Sequence, residues 1–362
     1  MEKTDILSLP YEQLLEYMKE KGEKAFRGKQ LYQWMHQHLA VSFEDMKNLP
    51  KALKQTLMED CSYDILKPVD LQVSKLDGTR KYLFELSDGN MVEAVLMHYK
   101  HGDSVCISSQ VGCKMGCRFC ASTLDGWLRN LTPAEMLGQV YSIQRDIWKE
   151  MGFDKAPSIG SEAYTNSRIS NLVVMGTGEP LDNYDNLLTF IRMLTDSYGL
   201  NLSQRSITVS TCGLVPKIRS LSEEKLGITL ALSLHAPNQK KREELMPIAK
   251  TYEIHQVVDA LRDYQKVTGR RVSFEYSLVA GVNDTDEDAR ELSALIGDIH
   301  GHVNLIPVNP IKERDFKSPS HQAALAFQKK LENCGINVTI RREMGRDIDG
   351  ACGQLRRRHI HS

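Results

Sequence analysis

Three closely spaced cysteines are the residues in this sequence best suited to chemistry. Cys113, Cys117 and Cys120 lie in the stretch GCKMGCRFCAS, with three and then two residues between them. Thiolates at such spacing bind zinc or iron–sulfur clusters, and both kinds of site usually have four protein ligands. The stretch supplies three, so the fourth position is either filled from elsewhere in the chain or left open for another molecule.

Two kinds of metal site fit this pattern. Cys106, seven residues upstream of Cys113, could complete a structural zinc site if it bent back along its strand. Alternatively, three thiolates on a 4Fe-4S cluster leave one iron free to bind a substrate. The eight cysteines of this 362-residue chain favour metal or redox chemistry over a disulfide framework, because the N-terminus has no secretory signal.

The segments around these cysteines alternate between strand and helix patterns. Six β-branched runs, most of them followed by an amphipathic segment, predict six βα units. The predicted strands are 104–109, 170–175, 206–210, 228–234, 272–279 and 302–307. A closed barrel needs eight units, so we predict an α/β fold with a six-unit partial (βα) barrel, whose loops after the strands meet at one rim.

Several mostly polar residues lie at the ends of these strands or just after them and would therefore face the cysteines. They are Gly178 and Glu179 after the second strand, Ser210 at the end of the third, Ser233, Leu234 and His235 at the end of the fourth, and Asn309 after the sixth. Taken singly, they also fit structural roles as a glycine turn, helix caps and a buried histidine. Glu179 could bind an ammonium or a ribose hydroxyl. Their convergence predicts a binding site beside the metal.

Composition and periodicity divide the chain into four segments. They are a helical N-terminal domain (1–72), a β-hairpin linker (73–101), the partial barrel (102–342) and a C-terminal segment (343–362). On the second hairpin strand, Glu93 shares a face with apolar residues. It is therefore either a solvated carboxylate on an exposed face or a carboxylate of raised pKa that lines a site.

Charge and hydropathy restrict the possible partners. The net charge is −1, so RNA would be met by local patches, and no apolar run is long enough to cross a membrane. The start of the chain has no targeting signal, which predicts a cytoplasmic protein. Two basic stretches could contact RNA or be solvated faces: Lys21, Lys24, Arg27 and Lys29 interleaved with Phe26, Tyr32 and Trp34, and the tail residues Arg356, Arg357 and Arg358.

Longer motifs point to a family. CISSQVGCKMGCRFCAS, MGTGEPLDNYDN, ALSLHAP, LIPVNP and RDIDGACGQL resemble the RlmN/Cfr family of radical S-adenosylmethionine (SAM) RNA adenine methyltransferases, over nearly the whole chain. Val111 and Pro180 are closer to the RlmN branch, which methylates carbon 2 of one adenine in 23S rRNA and of an adenine beside the anticodon of certain tRNAs. The Cfr branch methylates carbon 8.

The resemblance implies a role for each motif residue. Cys113, Cys117 and Cys120 would ligate a 4Fe-4S cluster, and the polar residues after the strands would bind SAM. Cys352 matches the cysteine that carries the methyl group, Cys106 matches the second catalytic cysteine, and Glu93 matches a carboxylate proposed as proton acceptor.

The resemblance also implies a ping-pong mechanism that uses two SAM molecules per turnover. A thiolate is a better nucleophile than an adenine carbon, so SAM first methylates Cys352. A 5′-deoxyadenosyl radical from a second SAM activates that methyl group, which bonds to the adenine. After a base, Cys106 or Glu93, takes the ring proton, Cys106 attacks Cys352 and releases the product with a disulfide. Flavodoxin or ferredoxin would supply the electron.

Three alternatives remain beside this interpretation. Carbon 8 of the same adenine could be the target. The chain could be a noncatalytic zinc-binding RNA module, which would hold about one zinc ion. It could also be a radical SAM enzyme for a small molecule or protein, which would not need the basic N-terminal stretch or the Cys106 and Cys352 pair.

Overall fold

The N-terminal domain is a helical unit held together by apolar side chains. The computed structural model describes residues 3–310, 313–349 and 351–360. The helices are α1 (Tyr11–Glu20), α2 (Ala25–His36) and α3 (Lys51–Asp60), beside the short parallel strands β1 (Thr4–Asp5) and β2 (Cys61–Ser62). Pro10 and Pro50 precede α1 and α3, where a missing N–H costs no helical hydrogen bond.

A mixed sheet forms the rest of the fold. Its strands are β3 (Pro68–Val73), β4 (Arg80–Glu85), β5 (Met91–Tyr99), β6 (Gly102–Cys106), β9 (Ile169–Val174), β10 (Ile207–Thr211), β11 (Thr229–Ser233), β12 (Val272–Leu278), β13 (Gly301–Pro307) and β14 (Val338–Ile340). The order is β14-β13-β12-β11-β10-β9-β6-β5-β4-β3. Strands from β6 to β14 are parallel, whereas β3, β4 and β5 are antiparallel.

Helices pack against this sheet and bury its apolar residues. They are α4 (Pro133–Glu150), α5 (Glu162–Asn166), α6 (Tyr184–Thr195), α7 (Val215–Glu223), α8 (Gln239–Leu245), α9 (Ile254–Thr268), α10 (Asp286–Ile296) and α11 (His321–Asn333), with α12 (Gln354–Ile360) near the C-terminus. Leu230 and Phe274 of the sheet and Leu187 and Leu261 of the helices are at most 1% exposed. Burial of such side chains is the main source of stability here.

The predicted strands are all present, and two features differ from expectation. A seventh parallel strand, β14, follows α11 and pairs with β13. The hairpin forms around Gly89, but β5 also pairs with β6, so Val95 lies opposite Cys106. The hairpin therefore extends the barrel sheet instead of serving as a separate linker. A short hairpin of its own, β7 (Gln110–Gly112) with β8 (Trp127–Asn130), encloses the cysteine motif.

No helix of the described ranges is both long and apolar enough to cross a membrane.

His36 provides a test of how the N-terminal domain packs on the barrel. Its side chain is fully buried, and Nδ1 lies 2.9 Å from the hydroxyl of Tyr141 on α4. Burial lowers the pKa of His36 to about 3. In the unfolded chain this histidine binds a proton near pH 6.5, whereas in the folded chain it stays neutral. Acidification from pH 6.5 to 5.5 should therefore lower the free energy of unfolding by about 1 kcal/mol because of this residue.

Urea unfolding at the two pH values measures this effect. His36→Gln, which cannot titrate, should show a pH difference smaller by about 1 kcal/mol than the unaltered chain. An identical pH difference in the two proteins would mean that His36 is exposed in solution.

Candidate active site

A cavity of about 640 Å³ opens at the carboxyl ends of the parallel strands. Its lining includes Cys113, Cys117, Cys120, Gly178, Glu179, Ser210, Ser233, His235, Asn309 and Cys352. The rim therefore brings together loops that are far apart in the sequence. Three of the predicted site residues lie outside the lining: Cys106, Glu93 and Leu234.

The cysteine motif is shaped by the β7–β8 hairpin. Gly112 has a φ of 77°, and a Cβ atom there would lie 1.9 Å from the carbonyl oxygen of Gly126, so only glycine fits. The N–H of Cys113 donates to that same oxygen over 2.9 Å. This tight crossing turns the motif toward the cavity.

The chemistry of the three thiols indicates what they can bind. Burial raises the pKa of Cys113 to about 12 and raises that of Cys120. Burial and the neighbouring Cys120 and Cys113 raise the pKa of Cys117 well above its usual value. Such thiols become thiolates only when positive charge compensates them. Within residues 3–310, 313–349 and 351–360, no three His, Cys, Asp or Glu side chains are arranged to hold a single metal ion. Three thiols that approach one another are a donor set that suits an iron–sulfur cluster, whose ligands are thiolates.

Metal content tests this assignment. Anaerobic reconstitution should yield about four irons and four sulfides per chain, and Cys117→Ala should lose most of both. Cys334→Ala is the matched control, because Cys334 is exposed at the end of α11. About one zinc per chain without iron would favour the zinc-binding alternative.

Glu179 joins two of the rim loops. It is 3% exposed, and its two carboxylate oxygens accept hydrogen bonds from the N–H groups of Leu181 (3.0 Å) and Cys212 (2.7 Å). Gly178 has a φ of 113°, and a Cβ there would lie 2.7 Å from side-chain atoms of Gln110 and Ser109. Burial raises the pKa of Glu179. The turn is thus held rigidly while the carboxylate borders the cavity.

His235 is held in one tautomer. Its Nδ1 accepts a hydrogen bond from the Ser277 N–H over 2.9 Å, which leaves the proton on Nε2. Burial lowers its pKa to about 3, so the ring is neutral at physiological pH. The ring makes an edge-to-face contact with the Phe119 ring, with 4.7 Å between the ring centroids. His235 can therefore be both a buried structural residue and part of a binding site.

The other predicted binding residues differ in whether their side chains border the cavity. Ser210 donates from its hydroxyl to the Val174 carbonyl over 3.0 Å and still borders the cavity, as do Ser233 and Asn309. Leu234 is fully buried, and its N–H donates to the Glu275 carbonyl. Its side chain therefore belongs to the core.

Cys106 and Cys352 both contact the backbone of Met175. The Cys352 thiol lies 3.7 Å from the Met175 carbonyl oxygen, and the Met175 backbone also hydrogen-bonds Cys106. Both cysteines are free; Cys106 is buried at the end of β6 and Cys352 is exposed. Burial and the neighbouring Cys352 raise the pKa of Cys106. The two thiols are placed as neighbours, one inside the barrel and one at the cavity.

Glu93 is buried, so the expectation of an exposed face is wrong. Its side chain is 5% exposed and lies 3.0 Å from the ammonium of Lys81, which is 0% exposed. Pairing of β5 with both β4 and β6 encloses this part of the strand. Its carboxylate does not line the cavity.

The two basic stretches are only partly available to RNA. Tyr32 is fully buried, whereas Phe26 is 51% exposed and lies beneath the Arg27 guanidinium. In the tail, Arg356 is 5% exposed, and both it and Arg357 pair with Asp125. These two tail arginines therefore form ion pairs within the protein and do not make an exposed basic surface. The exposed part of α2 is the better candidate for RNA contact.

Several residues of the site have no motif in the sequence. Lys81 lies behind the cavity, Arg341 and Met344 line it, and Arg242 is a fully buried cation whose Nη2 donates to the Cys212 carbonyl over 2.6 Å. Arg242 opposes the rise in the pKa of Cys117.

Comparison with known proteins agrees with this geometry. The family model for the ribosomal RNA large subunit methyltransferase N-terminal domain matches residues 4–62, and the radical SAM superfamily model matches residues 107–293. A radical SAM methyltransferase from Sphaerobacter thermophilus superimposes with a TM-score of 0.89 at 40% identity, covering 97% of this chain and 98% of that one. Fold and site thus define a radical SAM methyltransferase, as predicted.

Sequence relatives identify the family. "Probable dual-specificity RNA methyltransferase RlmN" from Lachnospira eligens is 59% identical over 99% of this chain and 97% of its own length. The relative of the same name from Clostridium perfringens strain 13 is 49% identical over 99% of this chain and 98% of its length. The chain belongs to the RlmN family. Membership implies a 4Fe-4S cluster and SAM, which the three cysteines and the cavity fit.

Proposed function

We propose that this protein methylates carbon 2 of an adenine in the peptidyl transferase centre of 23S rRNA, and of the adenine beside the anticodon of tRNAs, in the cytoplasm. The observation that carries the proposal is the meeting of Cys106 and Cys352 at Met175, at the edge of a cavity bordered by three cysteines. An enzyme that methylated a nucleophilic atom directly would need neither thiol.

The chain's own residues have distinct parts in this proposal. Cys352, exposed at the cavity, accepts a methyl group from SAM on its sulfur, and the carbon of that group later bonds to the adenine ring. Glu179, His235 and Asn309 border the space for SAM. Cys113, Cys117 and Cys120 would hold the 4Fe-4S cluster, which would supply the electron for cleavage of a second SAM to a 5′-deoxyadenosyl radical.

That radical would take a hydrogen atom from the methyl group on Cys352, and the resulting methylene carbon would bond to the adenine. After the adduct has lost the ring proton to a base and returned the electron that the cluster supplied, the Cys106 thiolate would attack the Cys352 sulfur. This attack breaks the bond from sulfur to the methylene carbon and leaves a disulfide, while that carbon takes up a proton and leaves as the methyl group of the RNA.

The cavity also has to exclude water from the reacting carbon. Its lining is rich in apolar and sulfur-containing side chains, among them Met115, Phe119, Met246 and Ile306. A target base must leave its stack to enter such a pocket. An electron carrier such as flavodoxin or ferredoxin would be the partner that reduces the cluster.

Carbon 2 is favoured over carbon 8 by the close relatives. Val111 is fully buried in β7, and Pro180 follows Glu179 directly. Each position is within two residues of a side chain that lines the cavity, Cys113 for Val111 and Glu179 for Pro180. The relatives are named dual-specificity RNA methyltransferases, and the matching N-terminal family model is described as that of a ribosomal RNA methyltransferase; both support the proposal of two RNA substrates, one of them ribosomal.

Nucleoside mass spectrometry tests the proposal. Protein, SAM and a reductant are incubated anaerobically with unmodified 23S rRNA fragments and tRNA transcripts, and the digested adenosines are compared with standards. We expect 2-methyladenosine from both RNAs. The appearance of 8-methyladenosine would instead support the Cfr-like alternative, and unmodified RNA with intact SAM would contradict the enzymatic role.

A further inference from the structure

A buried ion pair occupies the hairpin beneath the cavity. Lys81 of β4 and Glu93 of β5 lie 3.0 Å apart, with side chains that are 0% and 5% exposed. Burial of two charges is costly unless further hydrogen bonds satisfy them. A hairpin that only extended the sheet could use apolar residues at both positions, so the pair calls for another explanation.

In the part of the chain that the structure describes, the side-chain hydrogen bonds of this pair lead to the C-terminal segment. The Lys81 ammonium donates to the carbonyl oxygens of Asp349 (2.6 Å) and Ala351 (2.5 Å). The Glu93 carboxylate accepts from the N–H groups of Gly353 (2.7 Å) and Arg356 (2.6 Å). The cation therefore holds the carbonyl that precedes Cys352, and the anion holds the amide that follows it.

The opposite side of this backbone is confined by the cysteine motif. Gly353 has a φ of 81°, and a Cβ there would lie 3.1 Å from the Ser122 nitrogen and 3.3 Å from the Ala121 carbonyl carbon. Cys352 thus lies between a charged clamp on one side and the end of the cluster loop on the other. Contacts on both sides of the backbone fix the direction of the Cys352 thiol.

We propose that Lys81 and Glu93 are positioning residues that hold Cys352 next to Cys106. The inference rests on the proposed function for the roles of the two thiols. It assigns Glu93 a task other than proton acceptance, because both of its oxygens are engaged by Lys81 and two backbone N–H groups, and neither faces the cavity. A misplaced Cys352 would meet Cys106 less often.

The effective concentration of the two thiols measures this positioning directly. The reconstituted protein is equilibrated anaerobically with glutathione redox buffers, and the Cys106–Cys352 disulfide is quantified by peptide mass spectrometry. Lys81→Met and Glu93→Ala should each lower the effective concentration about tenfold or more, because each removes hydrogen bonds to a charged group. Glu93→Gln keeps one acceptor oxygen and should have a smaller effect than Glu93→Ala.

Controls separate positioning from loss of fold. Arg80→Met, on the same strand, removes the ion pair with Asp146 of α4 and should leave the effective concentration unchanged. The double variant Lys81→Met/Glu93→Gln has no unpaired buried charge, so it should fold even if a single variant does not, and its effective concentration should still fall.

The outcomes distinguish this inference from the proposed function. A disulfide that forms equally well in the unaltered chain, the single variants and the double variant would overturn the positioning role alone, as would an equal decrease in Arg80→Met. Failure of the unaltered chain to form this disulfide would contradict the resolving role of Cys106, and the positioning role with it.

Discussion

Cys352→Ala is expected to lower RNA methylation by at least about a thousandfold, because in the proposed mechanism Cys352 carries the methyl group to the adenine carbon. The cavity-facing thiol of Cys352 lies 3.7 Å from the Met175 carbonyl, and the cluster cysteines lie on a separate loop. The variant should therefore still bind its cluster. The measurement is the amount of methylated adenosine after incubation with SAM and reductant.

Cys334→Ala is the matched control for this change. It also removes an exposed free thiol, but one at the end of α11 and outside the cavity lining. Its methylation rate should equal that of the unaltered chain. If Cys352→Ala still produced methylated RNA at a similar rate, transfer through this cysteine would be excluded.

Cys106→Ala is expected to stop the reaction one step later. In the proposed mechanism, methyl transfer to Cys352 and bonding of that methyl carbon to the adenine do not use Cys106, but release of the product requires a second thiol to attack Cys352. Protein should therefore accumulate on the RNA as a covalent adduct, and turnover should fall to at most about one event per chain. Denaturing gels with labelled RNA reveal the adduct as a slowly migrating band.

The behaviour of other variants on the same gel makes the result specific. Cys352→Ala and the double variant Cys106→Ala/Cys352→Ala should both show free RNA, since the adduct forms through Cys352. Free RNA with Cys106→Ala alone would contradict the resolving role of Cys106.

Local patterns were enough to predict six of the seven parallel strands and the cysteine motif. Each strand is a short β-branched run bounded by loops, and the ligand spacing lies within eight residues, so neither depends on distant contacts. The strand β14 was missed because Val338–Ile340 is too short to show a period. The nearness of Cys106 and Cys352 came from resemblance to a family; their spacing gives no sign of it.

The burial of Glu93 could not be predicted from its strand. Alternation shows which residues share a face but not what covers that face. Here the covering comes from Lys81 on the neighbouring strand and from backbone groups near Gly353, about 260 positions away in the chain. Tyr32 and Arg356 were misjudged for the same reason, because a basic or aromatic stretch does not show which side chains face the core.

Peptide mass spectrometry of Cys352 tests the central claim most directly. Reconstituted protein is incubated with SAM and reductant but without RNA, and the peptide that contains Cys352 is sequenced by fragmentation. The proposed mechanism predicts a single methyl group on the Cys352 sulfur, which disappears when RNA is added as the methyl appears on adenosine. An unmodified Cys352 in protein that methylates RNA would contradict it.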